Sequence, residues 1–571
     1  MKNKELADLF EKMADILEFK GENPFKISAY RKASRIIGDL TEDIEEIAEQ
    51  EELRNIPGIG EGMAQKILEY LKTGKISKFE EIRKGVSDEL IAIMDIPGMG
   101  PKTLSMLHKE KGISNLSQLE KALEDGSLMD LFGMGEKKIE NIKRGIQLLK
   151  QSKGRMSLGV AFPVAKNIVE TLRQKTESSK IEWAGSLRRM KENIGDIDIL
   201  ATDTDKEKTI QAFTHLPEVK EVLVSGETKV SVIVEGGTQV DLRVVEEDSY
   251  GAALQYFTGS KGHNIHLRGI AKAKGIKINE YGVFKGEKKI GGKEEKDIYH
   301  VLGMDWIEPE LREDRGEIEA AQKRCLPKLV QESEIKGDLH LHSKWSDGTS
   351  TIEEIAKAAQ KRGYQYVAIC DHSKSLKIAH GLDESRLMKQ IEEIDRLNEK
   401  LKEFQILKGT EVDILTDGKL DLPDKILEKL DFAVAAIHSG FKQDKEKMTK
   451  RIVRALENPH VHILAHPSGR LLGAREPYEV EIEELMEAAK KYGKALEINA
   501  YFERLDLDDI HCRKAKEMGI RIGIGTDAHH LDQMWMISLG VAVARRGWLE
   551  TNDVLNTLSL KEILKWCHRT G

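Results

Sequence analysis

The 571-residue sequence predicts a multidomain chain of the α+β and α/β classes: a helical N-terminal region, a mixed middle and a barrel-like C-terminal half. Three observations carry this. Residues 1 to about 150 place apolar side chains at helical spacing between short glycine turns. From about 155 to 245, β-rich runs take over, and "KVSVIVEGGTQVDLRVV" (229–245) reads as a hairpin turning at Gly236-Gly237. From 337 onward, runs such as "YQYVAIC" and "FAVAAIHS" alternate with helical stretches, as strands do in a barrel-like α/β domain.

The composition, 40% hydrophobic and 33% charged, is that of a soluble globular protein. No stretch approaches the roughly 20 apolar residues of a membrane span, so no membrane partner is expected. The opening "MKNKELADLFEKMADILEF" reads as an amphipathic charged helix rather than a signal peptide. Cys325, Cys370, Cys512 and Cys567 stand far apart without a CxxC pair, which argues for a reducing cytoplasm and against a thiolate zinc site. The net charge of −8 gives no global sign of nucleic-acid binding, which must then rest on local patches.

The helical region contains such patches. "NIPGIGEGMAQKI" (55–67), "DIPGMGPKTLSML" (95–107) and "LFGMGEKKIENI" (131–142) each place a glycine-rich turn before a helix. Such turns aim backbone N–H groups at a phosphate without reading base sequence. One turn alone needs no ligand, since glycine also serves wherever φ is positive. Repetition, and seven basic side chains against Glu140 in residues 137–155, favour helix-hairpin-helix motifs on DNA backbone. Gly58, Gly60 and Lys66 in the first turn and Gly98 and Gly100 in the second are the candidate DNA contacts. The first motif falls in a helical domain expected over 1–85, and the second in a helical subdomain expected over 86–150.

The middle region poses a charge problem. In "GDIDIL" (195–200), Asp196 and Asp198 share one face of a strand while Ile197 and Ile199 point into a core. Adjacent carboxylates repel unless something positive separates them. Upstream, Gly185-Ser186 and Arg188-Arg189 offer donors and charge for a phosphate, and Asp241 lies in the hairpin's second strand. Three carboxylates on adjacent strands can hold two divalent ions about 3.5–4 Å apart, which clamp both oxygens of a phosphoryl displacement. A lone D-x-D is usually a solvated strand edge; the combination is the stronger signal.

This combination resembles the palm of the family X DNA polymerases, within the nucleotidyltransferase superfamily. "QYFTGSKGHNIHLRGIAKAKGIKINEYGVF" (255–284) resembles that family's nucleotide-pocket segment, and "NPFKISAYRKASRII" with "IPGIGEGMAQKI" resembles the DNA-end-binding domain of polymerase beta. The resemblance covers residues 1 to about 315 and implies a nucleotidyltransferase-type catalytic palm (151–245) and a nucleotide-pocket subdomain (246–315). It implies that Asp196, Asp198 and Asp241 bind two Mg or Mn ions and that Asp241 draws the proton from the primer 3′-hydroxyl. Gly185, Ser186 and Arg189 would hold the dNTP triphosphate. Tyr256, Phe257 and Gly259 would pack against its sugar, and Asn264 would touch the nascent pair. Lys261 departs from the pattern, since the animal enzymes carry an acid there. Lys66, with Tyr30 and Lys26 nearby in the pattern, falls where polymerase beta forms a Schiff base with a baseless sugar phosphate; a plain contact to a downstream 5′-phosphate stays open beside it.

After a polar stretch expected to be a linker (316–335), "GDLHLHSKWSDG" repeats the period-two device with His340 and His342, and adds Asp347. Asp371-His372, Glu411, His438, His466, Asp527 and His529 mostly follow β-rich runs, so they fall at strand ends, which converge on one face of a barrel. Histidine with carboxylate suits Zn, Mn or Fe, and nine candidates over-supply one ion, so two or three are expected, with Glu411 as a bridge. The order HxH, DH, E, H, H, DxH resembles the PHP (polymerase and histidinol phosphatase) family, over residues 336–571. That resemblance implies a distorted (β/α) barrel that hydrolyses phosphoesters with Mn or Zn. Arg470 and His380 are candidates to touch a substrate phosphate, while His462, His511 and His530 carry no assigned role.

The whole order resembles the bacterial family X DNA polymerases that carry a C-terminal PHP domain. It implies a monomeric cytoplasmic enzyme that fills short gaps in base excision repair, on gapped duplex DNA with a 5′-phosphate and dNTPs. The PHP domain would act as a 3′–5′ exonuclease, with nicking at baseless sites as a further activity. Two alternatives stay open: a PHP domain acting as a phosphatase on pyrophosphate or a small phosphoester, and a DNA-end scaffold with little chemistry.

Overall fold

The structure is a computed structural model that describes residues 2–38, 44–50, 52–56, 58–94, 96, 99–129, 131, 134–135, 138–139, 142–143, 146, 156–176, 178, 180–203 and 205–570. By packing, the chain divides into two units, Met1–Lys153 and Gly154–Gly571.

The first unit is helical. α1 (Lys2–Phe19) buries Leu6, Phe10, Met13 and Leu17, spaced three or four apart, in a core shared with Tyr30, Ala33 and Ile37 of α2 (Pro24–Gly38). α3 (Glu61–Thr73) and α4 (Pro101–Lys111) each follow a glycine turn and end on a left-handed glycine, Gly74 and Gly112.

The second unit begins with α5 (Leu158–Lys175), which packs on a five-stranded sheet. Its strands are β1 (Lys180–Trp183), β2 (Ile197–Thr202), β3 (Val219–Ser225), β4 (Lys229–Val234) and β5 (Gln239–Val245), in the order β1-β2-β5-β4-β3. β4 and β5 form the expected hairpin, and β5 then runs parallel to β2. A smaller subdomain follows, with α6 (Tyr250–Thr258), α7 (Lys261–Ala273) and the antiparallel strands β6 (Lys277–Asn279), β7 (Gly282–Lys285) and β8 (Lys288–Gly291).

The C-terminal half is a barrel of seven parallel strands in sequential order: β9 (Gly337–Leu341), β10 (Tyr366–Ile369), β11 (Gln405–Asp413), β12 (Phe432–Ala436), β13 (Ile463–Leu464), β14 (Ala495–Asn499) and β15 (Ile522–Gly525). The last strand meets the first, because the N–H groups of His342 and Asp527 donate to the carbonyls of Ala528 (3.0 Å) and His340 (2.9 Å). Most of these strands are buried on both faces, as parallel strands covered by helices must be. α8 (Ile537–Arg546) runs from the barrel toward the preceding subdomain. The five-stranded sheet and the barrel share one apolar core, and Phe162 stacks on Trp535 with ring centroids 6.5 Å apart.

Residues 316–335, expected from their polarity to be a linker, are ordered and packed. They form a helix, Glu317–Gln322, and bury Ile318, Ala321, Leu329 and Val330. Glu317 is itself fully buried, bonded to His263 at 2.7 Å and to the backbone N–H groups of Asp314 and Arg315. Sequence polarity cannot distinguish a charge paired inside the protein from one facing water.

Candidate active sites

The β2–β5 register sets Asp198 directly beside Asp241, and Asp196, one residue before β2, joins them. Their carboxylate oxygens lie within 4.8 Å of one another. Burial, followed by the charges of Asp196 and Asp241, pushes the Asp198 carboxyl up to about 6. Asp241 goes the other way: burial raises it, but Lys229 Nζ at 2.7 Å and the Gln239 amide at 2.9 Å hold it below the usual range. An all-oxygen set in which Asp196 and Asp241 still repel Asp198 fits hard divalent ions such as Mg or Mn. Gly185 is required here twice over. Its φ is +63°, and a Cβ would lie 2.6 Å from Asp198 Oδ2.

Beside this cluster, Arg189 is 12% exposed, its Nε bonded to Glu313 at 3.0 Å and its Nη1 to the Thr258 carbonyl. Gly259 has φ +72°, and a Cβ there would stand 3.1 Å from Arg189 Nη1. Ser186 is half-buried in the short helix Gly185–Arg188. Tyr256 and Phe257 meet edge to face at 5.2 Å, and the Arg243 guanidinium lies 4.5 Å from the Phe257 ring centroid. Asn264 is buried beside them; its amide N–H donates to the Tyr256 carbonyl (2.8 Å) and its side-chain carbonyl accepts from Gln255 (2.7 Å), which holds Tyr256.

The three glycine turns share one geometry. Ile59, Met99 and Met134 each donate to the carbonyl three residues back, at 2.9–3.0 Å, and each is buried. Gly58 has φ +98°, and a Cβ would collide with Ile36 and Lys32. At Gly60, Gly100 and Gly135 a Cβ would meet no protein atom, so these positions leave room for a phosphate. Gly98 and most of the basic stretch 137–155 lie outside the described residues. Lys66 lies on α3 with its amine 5.9 Å from the Tyr30 ring centroid, bonded to the Gly62 carbonyl at 2.7 Å. It lines a surface cavity of about 350 Å³ with Lys78, Glu69 and Glu81, and burial and then Lys78 push its pKa down.

At the barrel mouth all nine expected ligands converge. Three groups have ligand atoms within 4.8 Å: His342, Asp347, His372 and His529; His340, His342 and Asp527; and His372, Glu411 and His438. His466 completes the cluster through Glu411, 2.9 Å away. The groups share His342 and His372, which suits two or three closely spaced ions. The donors are packed as a ligand set. His340 Nε2 and His342 Nε2 face each other at 3.2 Å, and Glu411 Oε2 and His372 Nδ1 lie 2.7 Å apart without hydrogen-bond alignment. Burial pulls the buried histidines down, and each neighbourhood then decides the outcome. His342, beside His529 and His372, falls to about 3. His438 rises to about 10 against Glu411 and Asp413, and His529 to about 9 against Asp347 and Asp527.

Sequence reasoning missed the groups that aim these ligands. Glu497 accepts from His340 Nδ1 and the His466 backbone N–H, each at 2.7 Å, and Asp413 accepts from His438 Nδ1 at 2.6 Å. Such partners fix the tautomer and turn the other nitrogen to the metal. A signal for Asp413 was present, since Glu411 and Asp413 repeat the period-two device. Arg470 does not serve the cluster; it bonds Glu192 of the middle region at 2.7 Å and the Arg504 and Leu505 carbonyls. His380 is exposed on the loop after His372, and His462 is packed in the core against Phe432.

Family models match four stretches of the chain. Residues 1–76 match a helix-hairpin-helix domain, 87–147 a SAM-like helix-hairpin-helix tandem, 253–313 the DNA polymerase beta thumb, and 338–501 the PHP domain. The chain is 43% identical over 569 residues to the DNA polymerase/3′-5′ exonuclease PolX of Bacillus subtilis (strain 168), covering 99% of both chains. It is 35% identical over 241 residues to a protein of Thermoanaerobacter sp. (strain X514) named a probable phosphatase, covering 40% of this chain and 94% of that one. It is 26% identical over 346 residues to DNA polymerase lambda of Arabidopsis thaliana, covering 54% and 62%. Among the described residues, no helix is long and apolar enough to cross a membrane.

Proposed function

The chain belongs to the family of the Bacillus subtilis DNA polymerase/3′-5′ exonuclease PolX, and on that premise we propose an enzyme that extends and trims DNA 3′ ends at two separate sites. The observation that carries this is the assembly of both clusters, carboxylate and histidine-rich, in a chain related to that polymerase end to end.

In the palm, Asp196, Asp198 and Asp241 would hold two divalent ions, Mg or Mn, which supply charge for the attacking and leaving oxygens. The chain's own residues do the rest. Asp241 accepts the proton of the primer 3′-hydroxyl, Ser186 and Arg189 grip the triphosphate against Gly185 and Gly259, and Tyr256 with Phe257 walls the sugar. In the barrel, the nine ligands would hold two or three ions, Mn or Zn, which activate water toward a phosphodiester. Glu497 and Asp413 keep the histidine rings in place. The glycine turns hold duplex backbone on either side of a short gap with a 5′-phosphate, in a cytoplasmic monomer acting in base excision repair. Cutting at baseless sites would use the same barrel centre. Lys66, with a lowered pKa, suits Schiff-base attack on a baseless sugar as well as a 5′-phosphate contact.

The test is a one-nucleotide gapped duplex with labelled primer, run with and without dNTPs. The primer should grow by one with nucleotides and shrink without them. Asp196→Ala should remove only the growth and His342→Ala only the shrinkage. A second reading, a barrel acting on small phosphoesters, is favoured by the probable phosphatase related over 94% of its length. Hydrolysis of small phosphoesters without primer shortening would select it.

A further inference from the structure

Arg189 is held by groups from three parts of the chain. Its Nη1 meets the Thr258 carbonyl at the end of α6, and its Nε donates to Glu313 at 3.0 Å. Its own carbonyl, just past the short helix Gly185–Arg188, accepts from Arg546 Nη1 at 2.7 Å. Arg546 is the last residue of α8, and its side chain is only 5% exposed. The same Nη1 donates to Glu313 at 3.1 Å, while Nη2 donates to Asp509 at 2.6 Å. One barrel guanidinium therefore holds both the backbone of Arg189 and the carboxylate that aims its side chain. Burial raises Glu313, but Arg189, Arg546 and Lys191 outweigh it and keep it ionised. The neighbouring Arg545 reaches elsewhere, to Glu310 at 2.7 Å and Glu308 at 3.3 Å.

We propose that Arg546 is a positioning residue for nucleotide addition: through Glu313 and the Arg189 backbone, the barrel fixes the arginine that grips the incoming triphosphate. The barrel is then part of the polymerase site as well as a second enzyme. The proposal rests on the palm reading of Arg189. A guanidinium is suited to the task, because its two terminal nitrogens reach Asp509 and the Glu313–Arg189 pair from different points, whereas an ammonium offers all its donors from one. A grip made equally to the bound nucleotide and the transition state is uniform binding, and losing it raises KM with little change in kcat.

The experiment uses the full chain on the gapped duplex, varying dNTP, with Arg546→Ala, Arg546→Lys, Arg545→Ala, Arg189→Ala and the Arg189→Ala/Arg546→Ala double variant. Primer shortening without nucleotide reports whether the barrel remains folded. Arg546→Ala should raise KM for dNTP roughly tenfold with kcat within about threefold and shortening unchanged. Arg546→Lys should recover little of that loss, Arg545→Ala should change KM by less than about twofold, and the double variant should be no worse than Arg189→Ala. A KM for Arg546→Ala within about twofold of the parent, losses that multiply in the double variant, or a parallel fall in shortening would each overturn the relay. If Arg189→Ala itself leaves KM unchanged, the palm reading of Arg189 falls, and the relay with it. If Arg189→Ala raises KM and Arg546→Ala does not, only the relay falls.

Discussion

The two candidate metal centres gather their carboxylates in opposite ways. In the palm, three carboxylates stand on or beside two neighbouring inner strands with Asp196 exposed, and Lys229 and Arg243 only partly offset their repulsion. In the barrel, most of the nine ligands are buried, and second groups hold the far nitrogens of His340, His438 and His529: Glu497, Asp413 and the Asp527 carbonyl. An open oxygen site is completed by its substrate and exchanges ions with it, whereas a buried, braced imidazole site keeps its ions between turnovers. The contrast teaches that ligand count alone does not describe a metal site; what matters is how much of the ligand set is fixed before the ion arrives.

The largest test of that contrast is a crossed pair. Asp241→Asn should lower nucleotide addition by at least about 10³-fold, since it removes a ligand and the proton acceptor together, while primer shortening persists. Glu411→Gln should lower shortening by about 10²–10³-fold and leave addition within about twofold. Both rates are read from the same gapped-duplex gel. A variant that lost both activities equally would mean the centres are not separate.

Next in size is the bracing. Glu497→Gln should weaken barrel metal affinity about 10–100-fold, and excess Mn should restore primer shortening. Titration of the metal-stripped protein with Mn, followed by activity, measures the shift. An unchanged midpoint would mean that Glu497 is only a core hydrogen-bond partner. In the palm the comparable partners, Lys229 and the Gln239 amide, are gathered on Asp241, so the corresponding loss at Asp196 or Asp198 should be smaller.

Much of this was legible because strands alternate sides. H-x-H and D-x-D each announce two ligands on one face, and apolar runs ending in His or Asp announce strand ends that converge in a barrel. What stayed hidden depends on pairing across long sequence distances. Glu497 sits mid-strand among apolar residues and reads as sheet interior until His340 is placed beside it. Arg546 and Glu313 lie in separate regions with nothing in spacing to join them. The packing of the polar stretch 316–335 stayed hidden for the same reason, since the side-chain partner of Glu317, His263, lies in another segment.

The smallest effect is the most diagnostic of pre-organisation. Metal binding needs neutral imidazoles. Ahead of ion binding, His340, raised well above its ordinary range by Glu497, Glu411 and Asp527, His438, raised to about 10 by Glu411 and Asp413, and His529, raised to about 9 by Asp347 and Asp527, all carry protons at neutral pH. Ion uptake by the barrel at pH 7 should therefore release on the order of two to three protons, and its apparent affinity should rise with pH until at least about 10. The palm should behave differently. Asp198, raised to about 6, is mostly ionised at pH 7, so ion binding there should release little and should weaken only as pH falls through about 6. Calorimetric titration of Glu411→Gln and Asp241→Asn in two buffers of different ionisation heat separates the sites. Asp241→Asn leaves the barrel signal and Glu411→Gln leaves most of the palm signal. Equal proton release from both would remove the distinction between a site braced in advance and one assembled with its substrate.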